Sequence, residues 1–267
     1  MAAKTLLRTL LAGAAALAAL AATSTLRGDS MKKQWQKQFD LPAGGSLVIR
    51  NDVGRITVGP SPDGRVHVDI AAAVSGRQAD QAFDELGLDI SESSGSVRIQ
   101  RRKGWREHGL WDGLFGRRAT VEIDYRVQVP DGLVLDLHTA NGKVELDGVE
   151  GVLGLGTANG DVVVRRAAGA VSGTTVNGRI DVEVDRVDPG ARMRFDTVNG
   201  RIRTRLPRDL CAELDASSQN GAVKVDFPVR TRGTMRRNGV VGDVGECATR
   251  VSLSYRSING NIQVLEG

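Results

Sequence analysis

The sequence contains few side chains whose type and spacing would support catalysis or metal binding. Its three histidines lie far apart, and neither of its two cysteines is close in sequence to one of them, so no metal-ligand spacing is present. The chain also lacks a glycine-rich phosphate loop, a nucleophile elbow and a zinc-protease helix motif. We therefore expect no catalytic residues, no bound metal and no cofactor. His138 falls on the outward phase of its predicted strand, so we interpret it as a solvated surface residue.

Paired carboxylates would be the remaining route to catalysis, as in enzymes that cleave glycosidic bonds. The outward positions of the predicted strands carry five such acids, namely Asp136, Glu145, Asp161, Asp181 and Asp196. Residues of opposite charge occupy the matching positions of neighbouring repeats, which is typical of cross-strand pairing on a solvated surface. We therefore predict that the protein is not an enzyme. The alternative is a glycan-active enzyme.

Arginines are concentrated late in the chain, at positions 201, 203, 205, 208, 230, 232, 236 and 237. Alternate residues of a strand point to the same side, so Arg201, Arg203 and Arg205 would share one face. Such a face could bind anionic envelope glycans or phospholipid headgroups through charge-assisted hydrogen bonds. A solubilising surface is the alternative interpretation.

Two cysteines, Cys211 and Cys247, form an even pair that favours a disulfide in an oxidising compartment. The loop would span 36 residues (247 − 211). Closing a loop of that size stabilises a fold by about 3–4 kcal/mol in the chain-entropy model. Two buried free thiols are the alternative.

The clearest pattern is a repeated corner, in which Thr or Ser, one further residue, Asn and Gly stand between two runs of alternating apolar residues. Successive corner asparagines are 18, 18, 22, 21 and 39 residues apart. The last gap is about two periods, which indicates a degenerate or interrupted repeat with Asn238-Gly239 as its candidate remnant. The six corner asparagines are Asn141, Asn159, Asn177, Asn199, Asn220 and Asn259.

Two all-β folds suit this repeat. Asn-Gly is a strong hairpin signal, so an antiparallel meander is one of them. The other is a parallel β-solenoid, in which each repeat of 18–22 residues forms one coil and the asparagines stack at the strand spacing as a structural ladder. The solenoid explains why every corner has the same residues, so we predict an all-β, parallel β-solenoid over 133–267.

The preceding part, 41–132, is predicted to be β-rich and continuous with the solenoid. Strands are expected at 46–58, 65–74, 88–100 and 119–129, with one short amphipathic helix at about 77–86. A tryptophan-rich insert at 101–118 interrupts the pattern and contains Trp105, Trp111, Leu114 and Phe115. These apolar side chains either contact a membrane or partner, or fold back to plug one end of the core.

The first 24 residues are typical of a signal peptide, with Lys4 and Arg8 before an apolar stretch at 9–22 and small residues after it. We expect cleavage there, because the apolar stretch is short for the alternative, an uncleaved membrane anchor. A flexible lead-in is expected at 25–40, and the location is expected to be extracytoplasmic, that is periplasmic, cell-surface or secreted. Cleavage lowers Lys+Arg from 36 to 34 against 32 Asp+Glu, which leaves +2. That balance argues against nucleic acid as a partner.

The chain ends seven residues after the last corner glycine, Gly260. An open solenoid end exposes strand edges, so self-association through the C-terminal end is expected.

The tandem T-[AV]-N-G-x-[VI]-x-[VL] units resemble the DUF4097 family of adhesin-like, β-strand-repeat exported proteins, over most of residues 40–267. The resemblance implies an extracytoplasmic β-solenoid and supplies no catalytic residues. The function expected from it is binding or scaffolding at the cell envelope, with a glycan, lipid headgroup or protein as partner. An accessory component of an envelope-stress signalling system is a further alternative by analogy with the family.

Overall fold

A computed structural model describes residues 30–76, 79–102, 119–232 and 236–267. The predicted signal peptide and nearly all of the tryptophan-rich insert lie outside these residues. The described residues contain a single short helix, α1, and the all-β prediction is confirmed. In chain order the elements are β1 Ser30–Phe39, β2 Ser46–Val53, β3 Ile56–Pro60, β4 Val66–Ser75, α1 Ala79–Glu85, β5 Leu88–Ser93, β6 Ser96–Arg101, β7 Thr120–Val129, β8 Leu133–Asn141, β9 Val144–Asp147, β10 Glu150–Asn159, β11 Val162–Asn177, β12 Ile180–Arg186, β13 Arg192–Asn199, β14 Ile202–Leu206, β15 Ala212–Ser218, β16 Val223–Val225, β17 Val229–Thr231, β18 Gly239–Val244, β19 Val251–Asn259 and β20 Ile262–Glu266.

The strands form two hydrogen-bonded walls. The first wall has the order β5-β6-β2-β8-β10-β11-β13-β19-β15-β18-β17, and the second has the order β1-β4-β7-β3-β9-β11-β12-β14-β20-β16. Strand β11 contributes its beginning to the second wall and its end to the first. One coil is therefore a first-wall strand, an Asn-Gly corner and a second-wall strand.

The inward side chains of the two walls meet in one apolar core. Alternate residues along the strands are buried, as in β8, whose leucines are 0–1% exposed. Phe195 and Tyr255 stack on adjacent coils of the first wall with ring centroids 5.2 Å apart. The Tyr255 hydroxyl lies 3.0 Å from Thr204 Oγ1 on the second wall, which gives this buried polar atom a partner across the core.

Neighbouring strands in the repeat region pair in parallel, with the corner residues in register. Asn141 lies beside Asn159, and Asn159 beside Asn177. An earlier coil, from Ser46 to Pro60, precedes them and has no Asn-Gly pair. There Asn51 occupies the threonine position and Val53 the asparagine position, since they pair with Thr139 and Asn141.

The end of the chain departs from simple sequential stacking. Strand β19 pairs in parallel with β13 on one side and β15 on the other, and β20 lies between β14 and β16. The last coil in sequence is therefore the second-last in space. The expectation that the C-terminal coil forms an open end is wrong, because its strands are covered on both sides.

The long gap between corners contains a hairpin instead of a degenerate coil. Strand β18 pairs antiparallel with β15, and β17 pairs antiparallel with β18, at the far edge of the first wall. Asn238-Gly239 leads into β18, and the Asn238 carbonyl accepts a hydrogen bond of 2.8 Å from the Ser218 amide. The interpretation of this dipeptide as a remnant corner is wrong.

The predicted flexible lead-in is largely a strand. Residues 30–39 form β1, which pairs antiparallel with β4 along its whole length. Trp35 and Phe39 are buried at 8% and 7% exposure. The polar composition concealed an alternation in which only a few inward residues are strongly apolar, and an edge strand tolerates this.

The helix falls within the predicted span. Its Phe83 is partly buried against the core, and Lys33 Nζ of β1 lies 5.3 Å from the centre of the Phe83 ring. Within the described residues, no helix has the length and apolar character needed to cross a membrane.

The corner requires glycine because successive coils approach too closely for any side chain there. A Cβ atom on a corner glycine would stand about 2 Å from the carbonyl oxygen of the corner glycine on the preceding coil. These distances are 2.0 Å for Gly142, 1.9 Å for Gly160, 1.8 Å for Gly178, 1.8 Å for Gly200, 1.7 Å for Gly260 and 2.1 Å for Gly221.

The corner asparagines form a continuous ladder of side-chain amides. Apart from Asn141, which only accepts, each Nδ2 donates to the Oδ1 of the asparagine on a neighbouring coil, at 2.8–2.9 Å. The ladder follows the spatial order of the coils, Asn141, Asn159, Asn177, Asn199, Asn259 and Asn220.

The corner hydroxyls form a second column beside the ladder. Thr139, Thr157 and Thr175 each donate to the carbonyl of the preceding corner glycine at 2.9–3.0 Å. Ser218 donates to Gly260 at 2.8 Å. Buried Ser257 Oγ breaks the pattern, since it has no partner among the described residues.

Replacing Gly178 with alanine is expected to destabilise the fold by about 3 kcal/mol or more, because the new methyl group would overlap the Gly160 carbonyl. Gly59→Ala is the matched control, since a Cβ there meets nothing within 4 Å. Chemical denaturation measures both changes. Equal stabilities for the two variants would show that the close approach at the corner does not exclude a side chain there.

Replacing Asn177 with alanine removes one donated and one accepted amide hydrogen bond. We expect a loss of about 1–2 kcal/mol, since each net hydrogen bond contributes roughly 0.5–1.5 kcal/mol. Asn141→Ala removes only the bond accepted from Asn159, so its loss should be about half as large. Urea unfolding of both variants checks the ratio, and a larger loss at Asn141 would contradict the ladder.

Candidate functional site

Three arginines form a basic row on the outer face of the second wall. Arg201, Arg203 and Arg205 occupy alternate positions along β14 and its approach, and the residues between them, Ile202 and Thr204, are buried. On one side Arg203 and Arg205 pair in register with Asp181 and Glu183 of β12. On the other side Arg203 and Arg205 pair with Gln263 and Leu265 of β20, which are uncharged.

The basic row is only weakly neutralised. Arg201 lies 3.8 Å from Asp181, near the limit for an ion pair. Among the described residues, Arg203 and Arg205 have no ion pair within 4 Å, although acids stand on the adjacent strand. Their guanidinium groups border a shallow groove of about 390 Å³ lined mainly by charged side chains. The row therefore keeps hydrogen-bond donors available for an anionic ligand.

Three of the other late arginines, Arg208, Arg230 and Arg232, do not belong to this row. Arg230 pairs with Glu246 at 2.5 Å near the hairpin at the edge of the first wall. Arg232 bridges Glu213 and Asp243. Arg208 donates to the Gly267 carbonyl at 2.7 Å.

The five outward acids weighed as catalytic groups each have a basic partner. Asp161 contacts Arg179 at 2.6 Å and Asp181 contacts Arg201 at 3.8 Å. The remaining pairs are Asp136 with Arg50 and His138, Glu145 with Lys143, and Asp196 with Arg194.

The electrostatics of these pairs oppose acid catalysis. The hydrogen bond from Arg179 lowers the pKa of Asp161. Burial acts to raise the pKa of Asp136, but the hydrogen bond and charge of Arg50 outweigh it, so this pKa is also lowered. A general acid in glycoside hydrolysis needs a raised pKa. The ion pairs of these acids are typical of a surface on which opposite charges neutralise each other.

His138 is less solvated than the sequence indicated. Its side chain is 41% exposed and its Nε2 lies 2.8 Å from Asp136 Oδ1. The ring covers Gly156 of the next coil, where a Cβ would stand 2.3 Å from His138 Nδ1. Burial lowers the pKa of His138, and the charge of Arg50 adds to this effect. The described residues contain no group of side chains that could hold a metal ion.

A second surface feature, which sequence reasoning missed, lies on the outer face of the first wall beside the corners. This corner groove of about 500 Å³ crosses β11, β13, β19 and β15. Each strand contributes the residues before and after its corner Thr or Ser. One lip is polar, with Thr174, Asp196, Arg256 and Ser217, and the other is mainly aliphatic, with Val176, Val198, Ile258 and Gln219.

The variable residue of each Thr-x-Asn-Gly corner was the available signal for this groove. It is Ala140, Ala158, Val176, Val198 and Ile258 on successive coils of the stack. The out-of-order position of the last coil, which brings Ile258 beside Val198, could not be read from the sequence.

Cys211 and Cys247 form a disulfide with Cα atoms 6.2 Å apart. Cys211 immediately precedes β15 and Cys247 follows β18. The disulfide links the two ends of the segment that forms the last coil in space and its hairpin. Trp105, Trp111, Leu114 and Phe115, the predicted contacts with a membrane or partner, lie outside the described residues.

Asp161→Asn should lower the free energy of unfolding at neutral pH by under about 1 kcal/mol, the range for a partly exposed ion pair. Because the folded pKa is lowered, this contribution is present above the usual value of 3.8 and is lost as the pH falls through the folded pKa. Urea unfolding across this range measures the difference from the parent. Arg179→Gln should lose the same contribution, and a pH-independent difference would contradict the pairing.

Comparisons with known proteins place these features in a family. The family model described as Toastrack DUF4097 matches residues 62–265. A "putative cell adhesion protein" from Clostridium sporogenes ATCC 15579 is 11% identical with a TM-score of 0.47, covering 88% of this chain and 100% of that one. A "putative adhesin" from Bacteroides fragilis NCTC 9343 is 11% identical with a TM-score of 0.34, covering 87% and 97%. No curated protein matches the chain significantly. The family model spans most of the sequence, including all six Asn-Gly corners, and the chain belongs to the DUF4097 family.

Proposed function

We propose that the protein is a non-enzymatic, extracytoplasmic parallel β-solenoid that binds an anionic polymer or surface at the cell envelope, in the manner of an adhesin. The observation that carries this proposal is the basic row, in which Arg201, Arg203 and Arg205 share one face and are incompletely paired. Side chains two residues apart in a strand stand roughly 6.6 Å apart, so the row offers guanidinium groups at regular intervals. Anionic glycans and phospholipid headgroups supply the matching phosphates, sulfates or carboxylates.

The surroundings of the row favour a ligand from outside the chain. Arginine binds carboxylate and phosphate groups with two parallel hydrogen bonds when both are free to align. Asp161 provides the contrast, since its carboxylate is engaged by both the backbone amide and the guanidinium of Arg179. Along β14 the neighbouring acids leave such donor groups available on Arg203 and Arg205.

The disulfide supports the proposed location. Disulfides form and persist mainly in oxidising compartments outside the cytoplasm. The bond between Cys211 and Cys247 agrees with the signal peptide expected at 1–24. The pairing of the outward acids supports binding over glycan cleavage, because no two of them are left as a free acid and base.

The triple variant Arg201→Gln, Arg203→Gln and Arg205→Gln tests the proposal on a heparin column and on anionic lipid vesicles. We expect elution at lower salt and about tenfold weaker binding, on the order of 0.5 kcal/mol for each exposed contact. Heparin and vesicles distinguish a glycan from a headgroup as the preferred anion.

The matched control replaces Arg98, Arg126 and Arg192 with glutamine. These exposed arginines lie on three different strands, β6, β7 and β13, and the change in net charge is the same. Equal weakening in both triple variants would show that net charge alone is responsible. Unchanged retention of the first variant would refute the basic row as a binding site.

A further inference from the structure

We propose that the corner groove on the first wall binds a linear, uncharged glycan laid along the stack, across β11, β13, β19 and β15. This inference rests on the proposed binding function but concerns another wall and another ligand chemistry. It follows from the difference between the two lips of the groove and from the repetition of both lips on adjacent coils.

The aliphatic lip provides unusually exposed apolar surface. Val176 is 44% exposed and Ile258 is 39% exposed, and Val198 lies on the coil between them. These side chains lie at equivalent corner positions and recur at the strand spacing of about 4.8 Å. Aliphatic side chains in such a line can cover the C–H faces of consecutive sugar rings.

The polar lip provides hydrogen-bonding groups of both kinds at the matching positions. Thr174, Asp196 and Arg256 lie in register on adjacent strands, followed by Ser217. Asp196 pairs with Arg194 on its own strand, which leaves Arg256 without an ion pair among the described residues. Hydroxyl, carboxylate and guanidinium groups together can donate to and accept from sugar hydroxyls.

The geometry disfavours two other occupants. A peptide strand cannot extend the sheet here, because each of the four strands is already paired on both sides. An acyl chain would bury its apolar surface on one lip only and would leave the other side against charged groups and water. A sugar chain has polar edges and apolar faces, and so it fits both lips.

The test titrates the full chain with a length series of linear uncharged oligosaccharides, using glucan and chitin oligomers. We expect affinity to rise with length until the oligomer spans the four strands, roughly 14 Å from β11 to β15, and then to level off. The variant Val176→Ser, Arg256→Gln and Ile258→Ser should bind the longest oligomer at least about tenfold more weakly, because it loses contacts on both lips.

The control variant Val152→Ser and Val241→Ser removes two other exposed valines, 52% and 45% exposed, that do not line the groove. It should bind as the parent does, and equal weakening in both variants would overturn the proposal. Absence of oligosaccharide binding would overturn it too. If the oligosaccharides did not bind but heparin did, the basic row would stand and this inference alone would fail. If neither the oligosaccharides nor heparin bound, the proposed function would fail as well. Phosphatidylglycerol vesicle binding lost in the groove variant, without oligosaccharide binding, would assign the groove to lipid.

Discussion

The close approach of the backbone at each corner is the constraint on which the rest of the structure depends. Where one coil passes over the next, a glycine carbonyl occupies the space that a side chain would fill, and the ideal Cβ of Gly260 would stand 1.7 Å from it. The backbone hydrogen bonds between strands set this spacing, so the corner admits only glycine here and the same residues face each other on every coil. The asparagine ladder and the hydroxyl column follow from it, because they need the same residue at the same height on every coil.

The corner and the core are uniform, whereas the outer faces vary. Apart from the corner position and Thr204, the buried inward positions of the described coils are apolar. An outward position can be lysine, aspartate, valine or arginine on different coils without disturbing the stack. Most outward charges on the described coils are neutralised by a neighbour, as in the pair of Asp161 and Arg179. This pairing is incomplete at the basic row and in the corner groove, and binding is proposed there.

Local pattern and spacing determine much of this fold. The Asn-Gly spacing predicted a common register for Asn141, Asn159 and Asn177, and the alternation around the corners predicted the buried leucines. The even number of cysteines, in a chain expected to be exported, suggested the disulfide between Cys211 and Cys247. In each case the signal is short-range or repeats with a fixed period, so it can be read along the chain.

The sequence-based predictions failed where the contact that determines the structure joins residues distant in sequence. Strand β1 has the composition of a polar linker until its alternation is matched with β4, whose paired residues lie 27 (66 − 39) to 45 (75 − 30) positions further along the chain. The insertion of β19 between β13 and β15 leaves no local trace, because the repeat before Asn259 is like the others. The corner groove was missed for the same reason, since its lips combine residues from coils that are not consecutive.

The displaced last coil also makes completion of the stack depend on the end of the chain. A chain made from its N-terminus presents β15 and β16 before β19 and β20 exist. At that stage the exposed neighbour is β13, and Asn220 could stack directly on Asn199 in a premature register. In the native arrangement the final strands occupy that place, and β15 pairs with β19 instead of β13. Completion of the stack therefore depends on the arrival of the C-terminal strands, and a chain truncated before Val251 would retain the corner motif at Asn220 but lose its native neighbour.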